Sequence, residues 1–302
     1  MGHKNKKSLI MQMNEVLQSK LRAGESKHQH KINGTATDYI FSFSTYKNYK
    51  KHATYFLLWA KGKYKCKTLA QARQYADEWI QLRISEGKSP FTLKMEVSAL
   101  CKLYGDTASD YVPTPQRHRK DIKRSRYPVE RDKHWSPEKW ATDRIFCECT
   151  GLRKSELRCL SPEKLVAGKD CENLGNFEDH EDLWYIIVDK GSKGGKKRLA
   201  PIIGTPEEVQ LVVDTMKNCT TSRVFPKIPD AADQHHFRSV YAERCYCRYA
   251  RPVEEIPRED RCYRRKDMRK RPPLDVKALF LCSRALGHQR KSICMAHYLR
   301  NI

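Results

Sequence analysis

The sequence predicts a two-domain protein, with an all-α domain followed by a mixed α+β, mainly helical domain that contains a small antiparallel β-sheet. Through residues 40–105, apolar side chains recur at three- and four-residue steps, which is the spacing of amphipathic helices. A basic, proline-spaced stretch then runs from Pro113 to Pro137, as in an exposed linker. After this stretch, two β-rich runs stand among helical segments. The predicted domains are therefore residues 38–115 and residues 136–302.

Residues 1–37 are predicted to form a basic arm ahead of the first domain, because they hold seven Lys or Arg against two acids. One amphipathic helix can form within the arm, with its apolar face made by Met11, Met13, Val16, Leu17 and Leu21. The polar residues 24–31 that follow indicate a flexible segment.

Three or four short helices are predicted within the first domain, and three of them can be placed. Each is preceded by a residue whose hydroxyl can cap the helix: Ser44 or Thr45, then Thr68, then Ser89. Gly87 is predicted to end the second helix, since glycine is common just past a helix C-terminus. Pro90 suits the first turn of the third helix, where its missing amide costs nothing.

The second domain is predicted to begin with helices from Glu138 to Cys149 and from Glu156 to Leu165. Two β-rich runs, Trp184 to Val188 and Arg198 to Ile203, are separated by a turn that contains glycine and lysine. This arrangement predicts an antiparallel hairpin. Further helical segments are predicted around residues 206–217, 235–250 and 275–299.

The charge of the chain indicates its partner. Its 302 residues include 59 Lys and Arg against 36 Asp and Glu, a formal net charge of +23. Such an imbalance favours a polyanion, either nucleic acid or an anionic membrane. No apolar run approaches the roughly 18 residues of a spanning helix, and the N-terminus lacks the apolar stretch of a signal peptide. Nucleic acid is therefore the predicted partner and the cytoplasm the predicted location.

A nucleic-acid partner gives the basic segments a function. Residues 116–135 are predicted to be a linker that can lie along a phosphate backbone. Its candidate DNA contacts are Arg117, Arg119, Lys120, Lys123, Arg124 and Arg126. The arm over residues 1–37 fits a DNA-contacting segment and a solvated tail equally well.

The twelve cysteines are predicted to be reduced thiols rather than a metal site. The nearest pairs, Cys147/Cys149 and Cys245/Cys247, have one residue between them, whereas zinc sites typically have two. No metal and no other cofactor is predicted.

A separate set of residues has the side chains that phosphoryl transfer needs. Arg153, in the segment T-G-L-R-K-S-E-L, and Arg238, in H-H-F-R, can hold phosphate oxygens with planar guanidinium groups. His235 and His288 can donate to a phosphate or move a proton. Tyr298 offers a hydroxyl that can attack phosphorus.

A leaving alkoxide must be protonated, and Lys190 or Lys193 in the hairpin turn can supply that proton. No metal is required, because these cations supply the charge that Mg²⁺ provides elsewhere. Each motif by itself is ordinary, since most such arginines form salt bridges and most such tyrosines are packed or exposed. Their order in so basic a chain favours phosphoryl transfer on nucleic acid through a covalent tyrosine intermediate.

This order of motifs resembles the tyrosine recombinase (phage integrase) family over roughly residues 40–302. The resemblance implies Arg153 as the first catalytic arginine, Glu156 as a supporting acid and Lys190 as the general acid. It also implies that His235, Arg238 and His288 hold the phosphate and that Tyr298 is the nucleophile. The helical unit before residue 115 is similar to the SAM-like core-binding domain of that family. The family clamps duplex DNA between two domains and exchanges strands in a tetramer through 3′-phosphotyrosyl links.

Three features differ from the family pattern. The hairpin turn K-G-S-K-G-G-K-K-R is longer than usual, so Lys193 stays an alternative to Lys190. Fifty residues separate Arg238 from His288, a layout similar to integrases of conjugative and plasmid-borne elements, which predicts integration or excision of a mobile element. Only four residues follow Tyr298, so no C-terminal tail is expected to dock into a neighbouring subunit. A type IB topoisomerase-like nicking–closing enzyme and a non-catalytic DNA-binding regulator, or integrase relic, are the alternative functions.

Overall fold

The computed structural model describes residues 7–118, 136, 138–192, 195–229, 232–263 and 272–299. The chain divides into two compact units, residues 1–123 and 124–302. Several residues named from the sequence lie outside the described ranges, namely Arg119, Lys120, Lys123, Arg124, Arg126 and Lys193. The boundaries of the predicted linker therefore stay predictions.

The described part of the first unit is helical, in agreement with its apolar spacing. Its helices are α1 (Leu9–Ser19), α2 (Lys27–Ile32), α3 (Phe43–Tyr64), α4 (Leu69–Arg73), α5 (Ala76–Ser85) and α6 (Pro90–Tyr104). Helices α3 and α6 pack against each other, with Phe56, Leu57 and Leu100 almost fully buried between the helices of this unit.

Helix α1 packs into the first unit instead of standing apart as part of an arm. Leu9, Met13 and Leu17 are buried in the same core as Phe56. Met13 and Leu17 belong to the face that the sequence predicts, whereas Leu9 was not included in it. Met11, which the sequence placed on that face, is 53% exposed.

The predicted helix starts lie close to the observed ones. Thr68 caps α4 and Ser89 caps α6. Helix α3, however, is capped by Ser42 instead of Ser44 or Thr45, and the Ser42 hydroxyl accepts a hydrogen bond from the Thr45 amide.

The single helix predicted between Thr68 and Gly87 is two helices. Helix α4 ends at Arg73 and α5 begins at Ala76. Between them Tyr75 leaves the helical conformation and stacks on Tyr64, with ring centroids 3.6 Å apart. The local spacing of apolar residues does not indicate this break.

The second unit is mainly helical with a small antiparallel sheet, as predicted. Among its described residues the helices are α7 (Ala141–Thr150), α8 (Lys154–Leu157), α9 (Pro206–Lys217), α10 (Gln234–Tyr249), α11 (Val276–Ala285) and α12 (Lys291–His297). The strands are β1 (Leu165–Ala167), β2 (Trp184–Val188), β3 (Arg198–Pro201), β4 (Arg261–Cys262) and β5 (Leu274–Asp275). Strands β1, β2 and β3 form one antiparallel sheet in that order, and β4 pairs with β5.

The predicted hairpin is present, since Val188 pairs with Arg198 across β2 and β3. The helix predicted from Glu156 to Leu165 is wrong. The observed helix ends at Leu157, and a helix that continued to Leu165 would need an amide that Pro162 lacks. Leu165 instead begins β1.

The helix predicted over residues 275–299 is divided into α11 and α12. Gly287 lies between them with φ of 73°, a left-handed conformation that favours glycine. The two helices contact each other through Cys282 and Cys294, whose Sγ atoms are 2.9 Å apart. All twelve cysteines are unpaired. Within the described ranges, no helix combines the length and apolar character needed to cross a membrane.

Candidate active site

The candidate site begins where α7 ends. Gly151 has φ of 58°, and its amide donates to the carbonyl of Cys147, which closes the helix. A Cβ atom on residue 151 would lie 2.1 Å from Cδ1 of the buried Tyr241. Glycine therefore permits both the turn and the close packing that place Arg153 at the start of α8.

Glu156 holds Arg153 at two points. The Arg153 amide donates to Oε2 of Glu156 at 2.8 Å, and Arg153 Nη1 donates to Oε1 at 2.7 Å. Burial would raise the pKa of Glu156, but the Arg198 guanidinium and the amide and guanidinium of Arg153 outweigh burial and hold this pKa below its usual value. Glu156 is therefore an ionised carboxylate that fixes the orientation of Arg153.

Arg153 and Arg238 converge on one backbone carbonyl. Arg153 Nη2 donates to the carbonyl oxygen of Leu286 at 3.2 Å, and Arg238 Nη2 donates to the same oxygen at 3.0 Å. Arg238, on α10, is only 2% exposed, and its Nη1 donates to the carbonyl of Gly151. The shared acceptor holds two arginines from distant parts of the sequence side by side.

His288 and Tyr298 lie beside these arginines. The centre of the Tyr298 ring is 5.4 Å from the Cζ atom of Arg238 and 5.7 Å from the centre of the His288 ring. The turn at Gly287 directs the chain back, so that the His288 amide donates to the carbonyl of Ser283 at 2.8 Å. Of the residues predicted from the sequence, the structure thus brings together Arg153, Glu156, Arg238, His288 and Tyr298.

The surroundings of His288 keep its imidazole neutral. Burial lowers its pKa, and Arg238, Arg153 and Arg198 lower it further, to about 4. Its Nε2 atom is buried and has no hydrogen-bond partner among the described residues. Burial, in the first place, also lowers the pKa of Arg238, but a guanidinium stays protonated in proteins.

Arg198 belongs to the same cluster, although it lies outside the sequence motifs. Its side chain is 8% exposed, and its Nη2 donates to Oε2 of Glu156 at 2.7 Å. Burial lowers the pKa of Arg198 to about 10, with Glu156 opposing this change and Arg238 adding to it. Arg198 also lies against Gly287, where a Cβ atom would be 2.6 Å from its Nε. The only sequence signal is its position as the first residue after a lysine-rich turn.

A cavity of about 340 Å³ opens at this cluster. Its basic lining consists of Arg153, Lys196, Lys197, Arg198, Arg284 and the neutral His288. Guanidinium and ammonium groups that face a common space favour an anion there, and arginine in particular matches the oxygens of a phosphate.

Other predicted residues lie elsewhere. Lys190 is exposed and is not among the described residues that line the cavity, whereas Lys196 and Lys197 of the same turn are. His235 is exposed in the first turn of α10, and its amide donates to Oδ1 of Asp233 at 3.1 Å. In the predicted linker, the guanidinium of Arg117 lies 5.6 Å from the centre of the Phe91 ring.

Comparisons with known proteins give matches only among solved structures, since no family model and no curated protein matches the chain. The chain is similar to the integrase of transposon Tn1549 in complex with transposon right end DNA, at 12% identity and a TM-score of 0.45, covering 98% of this chain and 96% of that chain. For the same integrase with circular intermediate DNA, the values are 13% identity, a TM-score of 0.44 and coverage of 91% and 94%. For XerA recombinase they are 15% identity, a TM-score of 0.31 and coverage of 95% of each chain.

Proposed function

We propose that this chain is a site-specific DNA recombinase of the tyrosine recombinase family, which breaks and rejoins duplex DNA through a 3′-phosphotyrosine without a metal ion. The observation that carries the proposal is the convergence of Arg153, Arg238, His288 and Tyr298 around the turn at Gly287. Phosphoryl transfer depends mainly on fixed positive groups, such as these two arginines, around the reacting phosphate. The order of motifs in the sequence supports the same family.

Arg153 and Arg238 are assigned to the scissile phosphate. Attack on phosphorus concentrates negative charge on the non-bridging oxygens, and two guanidinium groups can donate to both of them. Their positions are already fixed by Glu156 and by the Leu286 carbonyl. Little reorganisation is therefore needed when the charge develops, which is the main benefit of a preorganised site.

Tyr298 is assigned as the nucleophile. Its oxygen forms a bond to phosphorus while the bond from phosphorus to the 5′ oxygen breaks, which leaves the 3′ end attached to the enzyme. His288 accepts the tyrosine proton. The pKa of His288 in the DNA-free protein is low, first through burial and then through three nearby arginines. A bound phosphate would offset these cations and raise that pKa, which makes the imidazole a better base when substrate is present.

The leaving 5′ oxygen takes a proton from a lysine of the turn over residues 189–197. We assign this role to Lys190, in line with the family resemblance, with Lys193 as the alternative. His235 is assigned a supporting contact to the phosphate. Protonation lets the leaving group depart as a hydroxyl instead of an alkoxide.

A covalent capture experiment tests the proposal. The protein is incubated with a pool of duplexes that carry a nick within randomised sequence, so that the short 5′ fragment diffuses away and the covalent adduct accumulates. Wild type is expected to give an adduct on a denaturing gel, and Tyr298→Phe is expected to give none. Tyr263→Phe is the matched control, because Tyr263 is 54% exposed and lies outside the site. It is expected to react like wild type.

The other outcomes have defined meanings. An adduct formed by Tyr298→Phe would show that the nucleophile is misassigned. Tight DNA binding by wild type with no adduct across the pool would favour a non-catalytic DNA-binding regulator. Relaxation of a supercoiled plasmid without recombinant products would favour a type IB topoisomerase.

We further assign the chain to integration or excision of a mobile element, acting as a homotetramer on two synapsed DNA sites. The support is the family resemblance and the fifty-residue separation of Arg238 and His288. Sequencing the captured duplexes identifies the recombination site. Sedimentation of the protein with two such sites then measures how many subunits assemble on them.

A further inference from the structure

The candidate site holds more positive than negative charge. Arg153, Arg198 and Arg238 are cationic, Glu156 is anionic and His288 is neutral. This cluster therefore carries a charge of +2 (3 − 1 = 2). Buried charges are normally paired, because leaving water is costly for an unpaired ion. The cluster is consequently suited to a negatively charged ligand in the adjoining cavity.

Arg198 differs from Arg153 in the contacts of its guanidinium. The side chain of Arg198 is 8% exposed, against 22% for Arg153. Arg198 Nη2 donates to Glu156, while its Nε and Nη1 are buried without a partner among the described residues. Arg153 donates both to Glu156 and to the Leu286 carbonyl. The described polar contacts of the Arg198 side chain are thus directed at Glu156.

One carboxylate is therefore divided between two guanidinium groups. Glu156 Oε1 accepts from Arg153 and Glu156 Oε2 accepts from Arg198, both at 2.7 Å. Without Arg198, the full charge of Glu156 would face Arg153, and the pair would be close to neutral. With Arg198 present, Arg153 keeps positive charge that can act on a ligand. The attraction between Arg153 and a bound anion differs strongly between these two cases, because screening by water is weak in a buried site.

We propose that Arg198 is a positioning residue that acts through Glu156: it takes up the charge of that carboxylate, so that Arg153 keeps a free positive charge for the DNA phosphate. The proposal rests on the proposed function for the identity of the ligand. It adds a third arginine to the two that the sequence motifs indicate.

The first test compares two substitutions of Arg198 on a captured duplex. Arg198→Gln removes the charge, and Arg198→Lys retains it. Arg198→Gln is expected to lower the rate of adduct formation at saturating protein roughly 10- to 100-fold, a loss comparable to that for residues that orient the ligands of a metal site. DNA affinity is expected to change little, since contacts spread over the phosphate backbone dominate it. Arg198→Lys is expected to recover much of the rate.

The decisive variant combines Arg198→Gln with Glu156→Gln. The double variant has the same cluster charge as wild type, because one cation and one anion are removed together. If Arg198 acts by offsetting Glu156, the double variant reacts faster than Arg198→Gln alone. If Arg198 only supports the fold or contacts the phosphate directly, the double variant is no faster, and that result overturns the proposal.

A second measurement does not require DNA cleavage. The shift in melting temperature with inorganic phosphate is recorded for wild type, Arg198→Gln and the double variant. Arg198→Gln is expected to show the smallest shift, with the double variant restored toward wild type, because a ligand stabilises the folded state more when it binds that state more tightly. Arg248→Gln controls for the loss of one positive charge, since Arg248 pairs with Asp182 at the surface.

The two measurements separate this inference from the proposed function. If wild type forms no adduct but the phosphate shifts follow the expected order, the recombinase proposal fails and the assignment of Arg198 stands. If wild type forms the adduct and Arg198→Gln matches it in rate and in phosphate response, the assignment of Arg198 fails and the recombinase proposal stands.

Discussion

His288 lies beside Arg153, Arg198 and Arg238, and its protonation is therefore linked to folding. Burial first, and then these cations together with His297, lower its pKa from 6.5 to about 4. In the unfolded chain the imidazole regains its ordinary pKa, so the unfolded state binds more protons between these two values. The stability that comes from a neutral His288 is complete above pH 6.5 and is lost as the pH falls toward 4.

We predict that His288→Gln flattens the pH dependence of the free energy of unfolding across this window. The expected difference from wild type is about 1–2 kcal/mol, which allows for the water that still reaches the ring. Urea unfolding at several pH values between these limits measures it. His28→Gln, at an exposed position on α2, is the control. If the curves of wild type and His288→Gln run parallel, His288 is not the group responsible.

At the scale of elements, the junction between α7 and α8 depends on Gly151. Substitution by alanine introduces a left-handed residue with a side chain and forces its Cβ to within 2.1 Å of Tyr241. Tyr241 cannot move freely, because it is fully buried and its hydroxyl donates to the carbonyl of Pro201 at 2.8 Å. Gly151→Ala is expected to reduce the free energy of unfolding by about 2–4 kcal/mol, the sum of backbone strain and overpacking.

The matched control for this prediction is Gly105→Ala. Gly105 also ends a helix, α6, in a left-handed conformation with φ of 83°, but nothing lies within 4 Å of the position of its Cβ. Gly105→Ala therefore introduces the backbone strain without the clash, and it is expected to reduce the free energy of unfolding by about 1 kcal/mol. Urea unfolding measures both variants. Equal losses of unfolding free energy in the two variants would show that Tyr241 moves to accommodate the new side chain and that packing does not fix this junction.

Elements with strong local signals were predictable from the sequence, and elements defined by distant contacts were not. The caps at Thr68 and Ser89 were predictable because the signal for a helix cap is local. The β2–β3 hairpin was predictable from two β-rich runs around a glycine-bearing turn. Strand β1 has three residues and exists through its pairing with β2. The position of Arg198 after a lysine-rich turn does not indicate its role, because its contacts come from Glu156 and Gly287, which lie in two other segments.

For the whole molecule, the net charge of +23 predicts DNA binding that weakens steeply with salt. Each phosphate that a Lys or Arg neutralises releases bound counterions, so the logarithm of affinity falls with the logarithm of salt concentration by about 0.9 per contact. This effect separates residues that contact DNA from residues that merely add to the total charge. The slope is therefore a direct measure of the predicted role of residues 116–135.

Replacing Lys123, Arg124 and Arg126 by Gln is expected to reduce the magnitude of that slope by up to about 2.7, because three contacts at about 0.9 each would be lost. A control variant carries Gln at Lys169, Lys217 and Arg248, which are exposed positions of the second unit. Both variants have a net charge of +20 (23 − 3 = 20). Fluorescence anisotropy of a labelled duplex over a range of salt concentrations gives both slopes. If the two variants lose affinity and slope equally, total charge alone controls binding and residues 116–135 do not follow the DNA backbone.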